Sequence, residues 1–536
     1  MKSKISEIVL LQNYFAFLII KDKFRQKMQK ICFKLIRILI TNDMKKYVLK
    51  RKQEMIRSVE FKNFRNLNGR YNFDKTLNVI IGKNNSGKTN ILEGIRLAFS
   101  TITNDYCKIS TSDFRGSIDS DIIEINVELA YNSIPTLNFW DTENQKKCGF
   151  SVRIRKTQSG RYVKDISLLN GSPVALDILR EDNNIPNLCL IPLIRIEDIY
   201  TAGLTTGISI FIDSEEKYKE LKKESKEAIK EELKAKTDKF KELCSKFNQN
   251  LDVELTDPKI LNEKVYIVDG ELEHNFNIGA GYKSIANILL NTLDEKFNII
   301  LIDEIENHLH PALIRNLIRE LRKVKNTIII STTHSPVVIN ELKMEEIIDI
   351  SGKNISLIND ENCIKKLNTF LHPGRNELML ADNIILVEGY TEEVLLKYYL
   401  SYNNYNWTII NVAGVMFEPY INLACLLSKK LIVVSDNDRL LSDKKEKSSR
   451  FKKLKEICNE KHIKLIEVEN TLETDLYINE FLKDCDGLLK QHEKYPEYYV
   501  AKPKKKVEIA EKLIDENIDL SNWHVIKEIK NEFESD

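Results

Sequence analysis

Short apolar runs that alternate with helical patterns are the main feature of this 536-residue chain. Each run is four to six residues long, and most of them end in a polar or glycine-rich turn. Buried strands that alternate with helices are typical of α/β folds with parallel sheets. The clearest predicted strands cover residues 59–64, 77–81, 298–302, 327–330, 383–387 and 430–434.

The first 54 residues differ in charge from the rest of the chain. They carry 14 Lys and Arg against 4 Asp and Glu, whereas the remainder carries 67 against 76. Their apolar run at 8–20 is too short to span a membrane as a helix. We interpret this segment as a basic leader outside the folded core and predict no membrane segment; a signal peptide is the less favoured alternative.

Charge and cysteine content limit the classes of function. Because the chain is acidic beyond residue 54, contact with nucleic acid must come from local basic surface or from metal ions. The nine cysteines are scattered and form no CxxC pair. Unpaired thiols are typical of a reducing compartment, so the predicted location is the cytoplasm.

A phosphate-binding loop follows the predicted strand at 77–81. Residues 82–89 read GKNNSGKT, which is a complete GxxxxGK[ST] pattern. In this pattern the glycines let backbone amides face the phosphates, the lysine reaches the β and γ oxygens, and the hydroxyl holds Mg²⁺. The predicted ATP-binding residues here are Gly82, Asn84, Asn85, Ser86, Gly87, Lys88 and Thr89.

The rest of a nucleotide site is predicted far downstream. The strand at 298–302 ends in Asp303 and Glu304. At this position an aspartate can hold Mg²⁺ together with Thr89, and a glutamate can polarise the attacking water. The strand at 327–330 leads into a turn that places His334 where it can contact the γ-phosphate. We therefore predict Glu304 as catalytic in ATP hydrolysis.

Acidic residues end two later predicted strands. Glu388 follows the strand at 383–387, and Asp436 and Asp438 follow the strand at 430–434. The carboxyl ends of parallel strands face one crevice, so these carboxylates can bind Mg²⁺ or Mn²⁺ for phosphodiester chemistry. A helix cap at Asp438 and a surface turn at Glu388 are the alternatives.

The order of the nucleotide motifs resembles the ATP-binding-cassette head of SMC and RecF-like ATPases. In that arrangement a glycine-rich signature opens a helix between the phosphate-binding loop and the Asp-Glu pair, and here Gly279 and Gly281 stand in that place. The resemblance implies that these glycines contact ATP across a homodimer or a higher oligomer. A glycine turn that caps a helix is the alternative.

The second acidic region resembles a TOPRIM domain, which is marked by one Glu and a downstream Asp-x-Asp. The strings RNELMLAD at 375–382, IILVEG at 384–389 and TLE at 471–473 are similar to the OLD (overcoming lysogenization defect) family, which includes the nuclease subunit of the Gabija antiphage system. The resemblance adds Glu392 to the metal ligands and leaves Glu473 and Asp475 as candidates. It also implies a catalytic lysine. Lys506 is the best match, and the neighbouring Lys504 and Lys505 are the alternatives.

The resemblance implies an ATP-dependent, Mg²⁺- or Mn²⁺-dependent DNA endonuclease with an antiphage role and, in Gabija-like members, a UvrD-like helicase partner. The expected fold is α/β, with an ABC-type head followed by a TOPRIM domain. The expected division is a leader (1–54), two head segments (55–205 and 261–370), a helical and dimerising insertion (206–260), a TOPRIM nuclease domain (371–485) and a helical C-terminal segment (486–536). The alternatives are a TOPRIM nuclease that cleaves tRNA or other RNA, an ATPase that clamps DNA without cleaving it, and a topoisomerase.

Overall fold

A computed structural model of the chain describes the residues that carry both predicted centres. It covers residues 56–73, 75–83, 85–103, 107, 109–116, 122–131, 133–174, 179, 187–191, 238–239, 241–247, 251–255, 265–269, 280–293, 297–325, 327–350, 374–401, 407–414, 417–439, 447–482, 487–493, 499–502 and 505–534. The predicted leader, Asn84, Gly279 and most of the predicted insertion lie outside these residues.

Strands and helices alternate through most of the described chain. The strands are β1 (Ile56–Phe64), β2 (Leu67–Asn72), β3 (Leu77–Ile81), β4 (Ile123–Leu129), β5 (Asn138–Trp140), β6 (Lys146–Lys156), β7 (Tyr162–Leu168), β8 (Asn187–Ile191), β9 (Leu251–Leu255), β10 (Val265–Asp269), β11 (Phe297–Ile302), β12 (Ile328–Thr333), β13 (Ile347–Asp349), β14 (Asn383–Val387), β15 (Trp407–Asn411), β16 (Lys430–Asp436), β17 (Lys464–Val468), β18 (Leu489–Gln491) and β19 (Tyr499–Ala501). The helices are α1 (Lys88–Thr103), α2 (Ala280–Leu293), α3 (Pro311–Leu321), α4 (Pro336–Glu341), α5 (Gly374–Leu380), α6 (Tyr390–Ser401), α7 (Phe417–Leu426), α8 (Ser449–Glu460), α9 (Leu472–Ile478), α10 (Lys506–Asp515) and α11 (His524–Glu534). The expected α/β class is confirmed.

Three sheets organise these elements. The first is antiparallel, with strand order β2-β1-β4-β6-β5 and β7 paired to β6. The second is parallel, in the order β13-β3-β12-β11-β8, and carries the nucleotide motifs. The third is also parallel, in the order β15-β14-β16-β17, and carries the acidic residues. Two antiparallel pairs, β9 with β10 and β18 with β19, complete the pairing in the described residues.

Every residue of β3 is buried, as expected for a parallel strand covered on both faces. One face of the second sheet shares a core with α1 and the antiparallel sheet, through side chains such as Leu301, Ile91 and Phe150. The other face shares a core with α2 to α4 that continues into the third sheet at Leu386 and Val433. The nucleotide and acidic sheets are therefore joined by continuous apolar packing.

The opposite face of the third sheet packs against the C-terminal helices. Leu395 and Leu396 of α6 lie in one core with Ile509 and Leu513 of α10. Trp523, directly before α11, is also buried in this core. This packing brings the first turns of α6 and α10 to the same end of the sheet. No helix among the described residues is both long enough and apolar enough to cross a membrane.

Candidate functional sites

Gly87 fixes the shape of the phosphate-binding loop. Its φ is +101°, and a Cβ atom at this position would lie 2.3 Å from the side-chain nitrogen of Asn66. Only glycine both adopts this positive φ readily and leaves room for the Asn66 side chain. The Asn66 amide donates to the Ser86 carbonyl at 2.8 Å and accepts from Asn90 at 2.7 Å, so it ties the loop to the first turn of α1.

Ser86 and Lys88 are prepared for an anionic ligand. The Ser86 hydroxyl is buried and has no hydrogen-bond partner within the described part of the chain. The Lys88 ammonium donates to the carbonyls of Gly82 at 2.9 Å and Lys83 at 2.7 Å. Burial lowers the pKa of Lys88, and the charges of nearby Asp303, Glu304 and Glu306 oppose that shift. A polyphosphate would supply the compensating charge that this loop lacks.

Thr89 and Asp303, the two predicted Mg²⁺ ligands of the nucleotide site, lie in direct contact. Thr89 Oγ1 is 3.0 and 3.1 Å from the two Asp303 oxygens. The Thr332 hydroxyl donates to Asp303 at 2.6 Å and accepts from the Glu304 amide at 2.8 Å. The end of β12 therefore positions both acidic residues that follow β11.

The predicted catalytic Glu304 lies beside His334. Glu304 has a φ of +49°, in the left-handed region that few non-glycine residues adopt. His334 Nδ1 lies 3.4 Å from one oxygen of Glu304 and 3.4 Å from one oxygen of Glu306. Glu306 also accepts from the His334 amide at 3.0 Å and from the Thr333 hydroxyl at 2.8 Å. No sequence pattern indicated Glu306 or Thr332, because their roles depend on strands meeting in space.

A cleft of about 760 Å³ opens over the phosphate-binding loop. Its lining includes the cationic side chains of Arg65, Lys88 and Arg115 together with Thr89 and Glu304. Arg65 is held in place by Asp113 at 2.8 Å and Asn90 at 2.7 Å, and it also forms an ion pair with Glu93. No sequence motif indicated Arg65 or Arg115, which lie outside the phosphate-binding pattern.

Gly281, in the first turn of α2, is not among the residues that line this cleft. A Cβ atom there would lie 2.4 Å from the carbonyl oxygen of His308, so the close approach of α2 to that turn requires glycine. Its predicted contact with ATP across a dimer stays a prediction. His310 caps α3 by accepting from the Ala312 amide at 3.3 Å.

The acidic centre is built at the carboxyl ends of β14 and β16. Glu388 follows β14, Asp436 is the last residue of β16, and Glu392 lies in the first turn of α6. The loop after β16 is shaped by the Asp438 amide, which donates to Asn470 at 3.0 Å while Asp438 adopts a φ of +49°. Neighbouring parallel strands thus bring together the carboxylates that the sequence predicted at their ends.

Two carboxyl groups of this centre have a raised pKa. Burial raises the pKa of Asp436 well above its ordinary value, and the charges of Glu392, Glu388, Glu473 and Asp438 raise it further. Burial also raises the pKa of Glu392, with Glu473 and Glu388 adding to the shift. Crowded carboxylates of this kind are stabilised by a cation.

Glu473 and Lys506 complete the centre from α9 and α10. The Lys506 ammonium lies 3.1 Å from Glu473 Oε1, although much of the Lys506 side chain is exposed. Burial alone would lower the pKa of Lys506, but the charges of Glu473, Glu392 and Asp436 outweigh it and raise the pKa. The distance to Glu473 shows an ionic contact, yet Glu473 Oε1 is buried and accepts no well-directed hydrogen bond from the described residues.

Asp475 has a different environment, although it is only two residues from Glu473. Its Oδ2 accepts from the Trp523 indole at 2.6 Å and lies 3.7 Å from His524 Nδ1. Burial raises the pKa of Asp475, and the bond to Trp523 opposes that shift. Asp475 therefore anchors the start of α11, which leaves Glu473 as the candidate that faces the acidic centre.

Arg450 is a cation that lies among these carboxylates. Its guanidinium contacts Glu388 at 2.8 and 3.0 Å, Asp438 at 2.8 Å and the Gly414 carbonyl at 2.7 Å. Among the described residues, no group of three carboxylate, imidazole or thiolate side chains lies close enough together to hold a metal ion without a rearrangement. The donor set still fits a divalent metal, because the hard carboxylate oxygens of Glu388 and Asp438 face one cation position, which the Arg450 guanidinium takes.

Three family models match the chain at the regions just described. Residues 55–170 match an AAA ATPase domain, and residues 276–340 match an AAA domain described as a putative AbiEii toxin of a type IV TA system. Residues 379–438 match the TOPRIM domain of proteins like the overcoming lysogenization defect protein. ATPase and TOPRIM domains in general use a nucleotide and a divalent metal.

The chain is similar to "Endonuclease GajA" of Bacillus cereus (strain HuB5-5), with 28% identity over 240 residues. The match covers 35% of this chain and 35% of that protein, so it spans about a third of the relative's length. Among solved structures, the chain is similar to an Smc head domain bound to the C-terminal domain of ScpA, derived from Pyrococcus furiosus (17% identity, TM-score 0.40, 56% of this chain and 94% of that chain). It is also similar to a RecF recombination mediator structure (13% identity, TM-score 0.31, 53% of this chain and 93% of that chain). By the three family models alone, the chain combines segments that match AAA ATPase domains with a segment that matches the TOPRIM domain of proteins like the overcoming lysogenization defect protein.

Proposed function

We propose that this protein is an ATP-hydrolysing, divalent-metal-dependent DNA endonuclease that acts in antiphage defence. The observation that carries the proposal is the acidic centre, in which Lys506 contacts Glu473 at 3.1 Å and the charges of Glu388, Glu392, Asp438 and Glu473 all act on the buried Asp436. Such a centre is suited to phosphodiester hydrolysis. The similarity to Endonuclease GajA supports the same activity.

ATP is the proposed ligand of the phosphate-binding loop. Lys88 would exchange its two bonds to loop carbonyls for bonds to the β and γ oxygens. Thr89 and Asp303 would hold Mg²⁺, and Glu304 would orient and deprotonate the attacking water. His334, which lies against Glu304, would contact the γ-phosphate. Gly279 and Gly281 would contribute from a second copy of the chain in a dimer.

Mg²⁺ or Mn²⁺ is the proposed partner of the acidic centre, held by Glu388, Glu392, Asp436 and Asp438. When bound, the metal would orient a water nucleophile and stabilise the departing oxygen. Lys506 would lie beside the scissile phosphate and neutralise charge that develops on it, since its ammonium already faces the carboxylates. Local charge of this kind compensates for the acidic composition of the chain beyond residue 54.

DNA is the proposed substrate of the acidic centre. We further propose that the protein is cytoplasmic, that it forms a homodimer or a higher oligomer, and that a UvrD-like helicase is its partner.

The test is to incubate the purified full chain with plasmid DNA and with tRNA in parallel, with Mg²⁺ or Mn²⁺ and with or without ATP. Metal-dependent cleavage of the plasmid supports the proposal. Cleavage of tRNA alone would replace it with a ribonuclease function. ATP hydrolysis stimulated by DNA without cleavage would replace it with a DNA-clamping ATPase.

A further inference from the structure

The side chain of Arg450 occupies the space between two proposed metal ligands. Both of its terminal nitrogens contact Glu388, and one of them also reaches Asp438 at 2.8 Å. The other donates to the Gly414 carbonyl at 2.7 Å. Planar, bidentate pairing with a carboxylate is among the strongest ionic contacts that a side chain makes. In this arrangement the guanidinium does what a divalent ion would do, because it neutralises both carboxylates at once.

The charge around Arg450 explains why a cation is needed there. Five carboxylates, those of Glu388, Glu392, Asp436, Asp438 and Glu473, interact electrostatically in this centre. Arg450 and Lys506 both contact these carboxylates, and Lys506 pairs with Glu473 on the side of α10. Arg450 is therefore the counter-ion for the side of the centre that Glu388 and Asp438 form.

The backbone beneath Arg450 is fixed, whereas the side chain retains access to solvent. Ser448 caps α8 by accepting from the Phe451 amide at 3.2 Å, and the Ser448 amide donates to the Asn437 carbonyl at 3.0 Å. Phe451 is buried. The Arg450 side chain keeps 33% of its surface exposed, and the cap of the helix does not depend on its contacts with the carboxylates.

We propose that Arg450 is a built-in competitor of the divalent metal, which holds Glu388 and Asp438 together in the metal-free protein and must leave them when metal binds. The inference rests on the proposed metal-dependent function. Arg450 thereby sets the metal concentration at which the acidic centre becomes loaded. It also keeps the metal-free centre from opening through repulsion between the carboxylates.

The test is Mn²⁺ binding to the full chain, measured from the electron paramagnetic resonance signal of free Mn²⁺ in the absence of DNA and nucleotide. Arg450→Gln should bind Mn²⁺ about tenfold tighter or more than the unmodified protein, because the metal no longer displaces a guanidinium. In EDTA the same variant should unfold at a lower temperature, and Mn²⁺ should raise that temperature more than in the unmodified protein. Arg450→Lys, which keeps the charge but loses the bidentate contact, should bind with intermediate affinity.

Lys453→Gln is the matched control. Lys453 lies on the same helix and pairs with Glu418 at 3.1 Å, on an exposed surface. Its removal should leave Mn²⁺ affinity unchanged. If a folded Arg450→Gln variant binds Mn²⁺ no more tightly than the unmodified protein, the competitor role is overturned and the metal-dependent function is not. If the glutamine variant does not fold, the same result with Arg450→Lys decides. If no protein in the series binds Mn²⁺ at the acidic centre, the proposed metal-dependent function fails as well.

Discussion

Lys83, in the phosphate-binding loop, forms an ion pair with Asp382, the residue directly before β14. Both side chains are about half exposed. The backbone carbonyl of Lys83 accepts from Lys88, and β14 ends directly before Glu388. A single ion pair thus joins the loop that would hold ATP to the strand that leads to a proposed metal ligand.

We predict that Lys83→Ala reduces the effect of ATP on DNA cleavage. An exposed pair contributes about 1 kcal/mol or less to stability, so the variant should fold normally. It should also hydrolyse ATP, because the Lys83 backbone keeps its contact with Lys88. The measurement is the ratio of cleavage rates with and without ATP, which should move toward one.

Arg315→Ala provides the comparison, since the half-exposed Arg315 pairs with Glu341 at 3.2 Å and neither residue belongs to the two candidate sites. This variant should keep the ratio of the unmodified protein. If Lys83→Ala keeps that ratio too, the ion pair does not transmit the nucleotide state.

Lys506→Ala should lower the rate of DNA cleavage by about 100-fold, the loss typical of removing one charge-stabilising donor. Mn²⁺ binding should persist, because the carboxylates remain. Lys505→Ala is the neighbouring control, since Lys505 pairs with Glu508 at 2.5 and 2.6 Å rather than with the acidic centre. A larger loss of cleavage in Lys505→Ala than in Lys506→Ala would show that the wrong lysine has been assigned.

Glu473 and Asp475 should respond differently to neutralisation. Glu473→Gln removes a buried charge that faces the acidic centre, so Mn²⁺ affinity should fall while stability is kept or raised. Asp475→Asn weakens the bond to Trp523, so stability should fall by about 1–3 kcal/mol while Mn²⁺ affinity is kept. Mn²⁺ titration and urea denaturation of both variants test this assignment, and exchanged outcomes would reverse it.

The sequence predicted the elements that carry the chemistry better than the contacts among them. Leu77–Ile81 and Asn383–Val387 occur with the predicted bounds, because a buried parallel strand has a continuous apolar signal. The strand predicted at 327–330 extends instead over Ile328–Thr333, since the polar residues Ser331 to Thr333 are buried and bonded at its end. A pattern of apolar residues does not indicate buried polar residues of this kind.

Residues that act through space left no signal in the sequence. Arg450 reaches Glu388 from a helix 62 positions away, and Glu306 contacts His334 across 28 positions. Lys506 was assigned from family resemblance rather than from its local pattern, in which several lysines stand together. The contrast between Glu473 and Asp475 required the position of Trp523, which only the folded chain provides.

The ionisation of Tyr71 should lower the stability of the folded protein at alkaline pH. Burial and the charge of Asp349 raise its pKa to about 12, above the ordinary value of 10. The folded state holds the hydroxyl proton of Tyr71 more tightly than the unfolded state does. The contribution of this proton to the free energy of unfolding is therefore complete below pH 10 and is lost as the pH rises through 12. A difference of this size between the folded and unfolded pKa corresponds to a loss of about 3 kcal/mol at most.

Tyr71→Phe should therefore cost about 1 kcal/mol at pH 8, where it removes the hydrogen bond to the Ile350 carbonyl at 2.9 Å. At pH 11 that cost should shrink or reverse. Urea midpoints at the two pH values measure the difference, with the exposed Tyr131→Phe as the control. An equal cost at both values would show that Tyr71 does not govern this part of the alkaline response.

The central claim is that one chain holds two separate centres, one for ATP and one for a metal ion and a nucleic-acid strand. The most direct measurement is ATP hydrolysis and plasmid cleavage assayed in parallel on the unmodified protein, Asp436→Asn and Glu304→Gln. Asp436→Asn should abolish cleavage and keep hydrolysis within about twofold, whereas Glu304→Gln should lower hydrolysis by about 100-fold or more and keep cleavage in nucleotide-free buffer. Loss of both activities in each folded variant would contradict two separate centres.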